Sequence, residues 1–122
     1  MVLDISTING IIIITLVRRL DADSAAAIED ELKKIAEQCP ERVLFDFSKT
    51  EYIASAGLRV LLITTRSLLK TGGTVALSSL SPQVRRVFEI AGFTTIFSIF
   101  GSREEVHYCP AGRMDRIILR NC

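Results

Sequence analysis

An α/β domain on a mixed sheet is what this chain predicts, and three observations predict it. A β-rich apolar hairpin opens the sequence, strand-like and helix-like segments alternate after it, and cap or turn residues stand at most of the junctions. At 122 residues, 48% hydrophobic and 24% charged, the chain suits one compact domain with a real core.

The hairpin comes first. Residues 2–7 and 11–17 are β-prone runs split by Asn9-Gly10, a dipeptide that favours a tight turn. The second run, IIIITLV, is apolar on both faces, as expected for a strand inside a covered sheet. Over residues 23–38 the period changes to that of a helix. Ala25, Ile28, Leu32 and Ile35 form one stripe, while Glu29, Asp30, Lys33, Lys34 and Glu37 form the opposite face. Asp21 or Asp23 is the expected cap, and Cys39-Pro40 the stop.

Residues 42–47 read as a short apolar strand. A helix follows over about residues 55–70, with Leu58, Leu61, Leu62, Thr65, Leu68 and Leu69 expected on its inner side and Gly72-Gly73 as its stop. Residues 74–78 read as a strand. Ser81-Pro82 opens a helix running to Ala91, which Gly92 ends. Residues 96–100 read as the last buried strand, and Ser102 as the cap of a short helix through Val106. Strand and helix alternate, so parallel pairs joined by helical crossovers are expected. Residues 107–122 are an irregular tail with one strand-like run, 117–119.

Composition narrows the function. A formal net charge of +1 gives no strong pull toward nucleic acid or an anionic membrane. No apolar run approaches the roughly 20 residues of a spanning helix. The amino-terminal residues do not resemble a secretory signal, so a cytoplasmic location is expected. Cys39, Cys109 and Cys122 form no CxxC pair and His107 is the sole histidine, so free thiols are expected rather than a metal site.

The segment DFSKTEYIASAGLRVLL, residues 46–62, places Ser55 at the start of a helix, where unpaired N–H groups and the dipole favour an anion. A serine there can cap the helix, accept a phosphoryl group or act as a nucleophile. The third option lacks support: ASAGL is not the GxSxG elbow of a hydrolase, and the single histidine lies in the tail. Gly72-Gly73 stands on the wrong side of a strand for a dinucleotide turn, and no GxxxxGK[ST] occurs. No catalysis and no cofactor are therefore expected. Asp21 and Asp46 fall near the C-terminal ends of strands, where such sheets bind ligands and partners. Taken alone, Asp21 reads better as a helix cap and Asp46 as an acceptor for N–H groups of the following loop. Arg18, Arg19, Arg85 and Arg86 read as solvated surface.

These residues resemble a known family. DFSKTEYIASAGLRVLL looks like the signature of STAS domains, in particular of bacterial anti-sigma factor antagonists. RRLDADSAAAIEDEL resembles the family's first loop and helix, and KTGGTVALSSLSPQVRRVFEIAGFTTIFSIFGSREEV its later part. The resemblance covers residues 1–106, which makes 1–106 the STAS domain and 107–122 a tail. It implies a STAS-type fold, a mixed four- to five-stranded sheet with helices packed mainly on one side. It also implies a regulator that binds an anti-sigma factor, often a serine kinase, and so releases a sigma factor. Phosphorylation of the serine at the helix start inactivates such antagonists, and a phosphatase reverses it. Carried over by position, Ser55 is the phosphorylated residue, and Asp21, Ala54, Ser55, Ala56 and Gly57 form the partner surface, with no direct contact to nucleic acid, membrane or substrate. Three departures stand out: Ala54 replaces a usually acidic residue, Arg18 or Arg19 replaces a glycine before the first loop, and the tail lacks a regular final helix. Two other readings are a constitutive interaction module with Ser55 only as a helix cap, and a domain that senses a nucleotide or lipid near Asp21 and Ser55.

Overall fold

The computed structural model describes residues 3–95, 97–101, 106–108 and 114–116. Strand β1 (Asp4–Ile8) pairs antiparallel with β2 (Ile11–Thr15) through the Asn9-Gly10 turn. Both turn residues have positive φ, 52° and 78°, as in the hairpin turn whose twist matches that of its strands. From β2 the sheet grows in one direction through β4 (Arg42–Asp46), β6 (Thr74–Ser78) and β7 (Ser98–Phe100), giving the order β1-β2-β4-β6-β7 with every later pair parallel.

Helices α1 (Ala22–Glu37), α2 (Ser55–Lys70) and α3 (Pro82–Ile90) make the crossovers. Right-handed crossovers between strands added in one direction all land on one face. The core shows this: Ile14, Phe45 and Leu77, in register across three strands, pack with Ile28 and Leu32 of α1, Leu61 and Leu68 of α2, and Val84 and Phe88 of α3. The mixed sheet and the one-sided helices are thus as expected. Among the described residues no helix is long and apolar enough to cross a membrane.

The caps follow the sequence closely. Asp21 caps α1, and Ser81 caps α3 by accepting a hydrogen bond from the Val84 N–H at 3.2 Å, with Pro82 in the first turn. The inner face of α2 differs in part from expectation. Leu69 is 48% exposed and Leu62 half-buried, while Gly57, Leu61, Thr64, Thr65 and Leu68 face inward. Steps of three and four from Gly57 select that stripe, and Leu69 lies one residue beyond it. The last strand begins at Ser98, after a bend at Phe97 and a 3₁₀ turn over Phe93–Thr95; Ile96, where it is expected to begin, lies outside the described residues.

Two pairs of short strands carry no periodic signal and were not expected. Strands β3 (Arg19–Leu20) and β5 (Tyr52–Ile53) pair in parallel beside the main sheet. Strands β8 (Val106–Tyr108) and β9 (Met114–Arg116) pair antiparallel, so regular structure runs into the region expected to be irregular. Val106 is a strand residue here and not the end of a helix. The remainder of that expected helix, 102–105, and the strand-like run 117–119 lie outside the described residues.

Three phenylalanine rings lock α3 to the sheet side. Phe88 meets Phe47 edge-to-face at 5.7 Å and 90°, and Phe97 at 5.7 Å and 78°. Phe88 is fully buried, so Phe88→Ala leaves a cavity and removes the edge-to-face contacts of Phe47 and Phe97 with it. The expected loss is about 3–5 kcal/mol of folding stability, read from the urea midpoint at unchanged m-value.

Candidate partner site at the start of the second long helix

The site is built by the small β3–β5 pair. Leu20 registers with Ile53, which sets the next residues, Asp21 and Ala54, side by side. The Ala54 N–H donates to the Leu20 carbonyl at 2.9 Å. The starts of α1 and α2 are thereby held next to each other, as the resemblance implied for Asp21 and the acceptor serine.

The two helix starts differ in their chemistry. At α1 a reciprocal capping box is complete. The Ser24 N–H donates to Asp21 Oδ1 at 3.1 Å, the Asp21 N–H donates to Ser24 Oγ at 3.0 Å, and Ser24 Oγ–H donates to the Arg19 carbonyl at 2.6 Å. The backbone N–H of Ser24 is the main cause holding the Asp21 carboxyl below the usual carboxylate range; partial desolvation opposes it, and the Ser24 hydroxyl and Arg19 add to it. At α2 the cap position belongs to Ala54, whose backbone is extended and whose side chain has nothing to donate to or accept from. The N–H groups of the first turn therefore have no side-chain cap, and the positive end of the helix dipole is open.

Ser55 is the first residue inside that helix, not its cap, which removes the reading of Ser55 as a capping residue. Its side chain is exposed and makes no hydrogen bond with a described residue. Ala56 beside it is half-buried. Gly57 faces inward and is buried, so it shapes the surface without belonging to it. A β-carbon on Gly57 would stand 2.6 Å from Leu20 Cγ and 2.7 Å from the Leu20 carbonyl oxygen. Only glycine lets α2 come this close to β3.

Asp46 does what its loop position suggested: the Ser48 N–H donates to Oδ1 at 2.9 Å, and the side chain is buried at the end of β4. It shapes the turn and does not join Ser55 on the surface. His107 belongs to β8, whose partner β9 packs against β6, whereas Ser55 opens α2.

The structure adds residues to this site that sequence reasoning left aside. The guanidinium of Arg19 lies 4.5 Å from the centroid of the Tyr52 ring, a cation–π stack on the exposed side of the β3–β5 pair. Arg18 pairs with Glu51 at 2.8 Å, both well exposed. A shallow depression of about 540 Å³ runs between α1 and α2 from Ser55 and Arg59 to Ile63, floored by Ala22, Ala25 and Ala26. Tyr52 could have been flagged as an aromatic three residues before the helix start, but two-residue strands give no pattern to place it.

Compared with known proteins, residues 3–106 match the model of the STAS domain. The chain is 38% identical over 104 residues to BtrV of Bordetella bronchiseptica, provisionally named an anti-sigma factor antagonist; the match covers 85% of this chain and 90% of that protein. It is 31% identical over 85 residues to the anti-sigma-B factor antagonist of Bacillus subtilis, covering 70% and 77%. Among solved structures it resembles the Bacillus cell-fate determinant SpoIIAA in its phosphorylated form, with a TM-score of 0.68 at 21% identity over 84% of this chain and 94% of that one.

Two outcomes are expected. Gly57→Ala gains about 1 kcal/mol of helix propensity, yet overpacking against Leu20 takes about 1–3 kcal/mol, so the variant should be less stable in urea. For Asp21, a folded-state pKa below the unfolded value gives stability that is present above the unfolded pKa and lost as pH falls through the folded one. The thermal-midpoint advantage of the wild type over Asp21→Asn, whose amide still caps, should therefore shrink as pH drops below about 4.

Proposed function

The chain belongs to the STAS domain family, and from that premise we propose that it acts as an anti-sigma factor antagonist. It binds an anti-sigma factor of the serine-kinase type through the surface around Asp21, Ala54, Ser55 and Ala56, and so frees a sigma factor. Phosphorylation of Ser55 turns it off and a phosphatase turns it on again. The domain works by binding and has no catalysis of its own.

One observation carries the reading: Ser55 offers an exposed, unengaged hydroxyl at a helix start that no side chain caps. The names of BtrV and of the B. subtilis relative support the antagonist role, and SpoIIAA, whose structure is known in a phosphorylated form, shares the fold. A phosphoserine carries about −1.5 to −2 charges at neutral pH. The open helix dipole offsets part of that charge, by about 0.3–1 kcal/mol at an exposed position, so the fold tolerates the group. A partner pressed onto the same surface must desolvate it and hold it near Asp21, which opposes binding. The switch therefore acts on the interface and leaves the fold intact. Ala54 adds no negative charge beside the acceptor, so the phosphate supplies the change in local charge by itself.

The test has two arms, both on the purified chain. Incubation with the cognate kinase and ATP should place one phosphate on Ser55, located by mass spectrometry. Calorimetry with that kinase should show Ser55→Ala binding like wild type and Ser55→Asp binding at least about tenfold more weakly, roughly 1.4 kcal/mol. No phosphate on Ser55 together with equal binding by all three proteins would leave a constitutive interaction module instead. A nucleotide or lipid retained in native mass spectra, and lost on substitution near Asp21, would favour the ligand-sensing alternative.

A further inference from the structure

Strand β6 has β4 along one edge and β7 beside residues 76–78 on the other, so over that stretch an element that lies against β6 without joining the sheet stands over one of its faces. Strand β9 lies against β6. The three helices occupy the face that carries Ile14, Phe45 and Leu77. The remaining face has its own rows in register: Ile13, Leu44 and Ala76, then Thr15, Asp46, Ser78 and Phe100. An open sheet face would leave these residues wet, yet Leu44 is 1% exposed, Ala76 and Ser78 0%, and Phe100 5%. Leu44, Ala76 and Phe100 form with Ile11 and Ile13 a second apolar cluster, separate from the helix-side core.

We propose that the β8–β9 hairpin is an intramolecular cover for this second face, so that the occupant is the chain's own C-terminal segment and not a second copy or a foreign partner. Two arguments support it. Strand β9 lies against β6, and the three helices already fill the other face. An isolated two-stranded hairpin is marginal in water, so the pairing of Val106 with Arg116 and Tyr108 with Met114 needs an apolar platform, and this face is one. The cover keeps apolar side chains of β2, β4, β6 and β7 from templating self-association. It leaves the helix side and the Ser55 end as the surfaces open to partners, and it is independent of whether Ser55 is phosphorylated.

The experiment uses the full chain in solution with methyl-labelled leucine and alanine. Nuclear Overhauser contacts should join the Ala76 and Leu44 methyls to residues 106–108 and 114–116, within one molecule. Amide hydrogens of those hairpin residues should exchange at least about tenfold more slowly than in unstructured chain. Exchange at the unstructured rate without such contacts would overturn the proposal. So would contacts to those methyls seen only between differently labelled molecules, which would make the cover a second copy.

Discussion

The approach of α2 to Leu20 governs the geometry of the whole Ser55 end. Gly57 carries no side chain where a β-carbon would sit inside the van der Waals shell of both the Leu20 side chain and its carbonyl oxygen. That same carbonyl accepts the Ala54 N–H, so one backbone oxygen ties down the residue before the helix while the glycine brings the first turn onto it. The β3–β5 pair holds this arrangement in register. Asp21 and Ala54 end up as neighbours, and α1 and α2 start from the same edge of the molecule.

Two helix starts placed side by side would repel through their dipoles unless something offset them. At α1 the Asp21 carboxylate does so, with its capping box complete. At α2 nothing does, because Ala54 is inert and Ser55 lies one residue too far along to cap. The asymmetry leaves an electropositive helix end with an exposed hydroxyl in front of it. A negative group added there is locally welcome, and its effect falls on whatever must pack against the surface. The surrounding ion pairs do not change this balance much: Arg18–Glu51 is exposed on both sides, and pairs of that kind contribute little.

The sheet is sealed from both sides by different means. On one face, crossovers of a single hand stack three helices and the Phe47–Phe88–Phe97 rings. On the other, a smaller cluster is buried although no described helix reaches it. The continuous apolar run of β2 makes sense only in such a sheet, since alternate residues of IIIIT feed opposite cores. Ile14 belongs to the helix side, and Ile11 and Ile13 to the second cluster.

The sequence alone determined what local rules can carry. Asn9-Gly10 dictated the hairpin turn, Asp21 and Ser81-Pro82 the helix starts, and the spacing of Ala25, Ile28, Leu32 and Ile35 the buried stripe of α1. Resemblance supplied the family and pointed to Ser55. Tertiary structure decided the rest. It gave the cap position of α2 to Ala54, because the Leu20 carbonyl fixes that residue in extended backbone before the helix begins. It turned Gly57 inward as a packing residue, stacked Arg19 on Tyr52, and paired β3 with β5 and β8 with β9. Strands of two or three residues contain at most one and a half cycles of alternation, too few to stand out as a pattern, so their existence depends on the partner strand they meet in the fold.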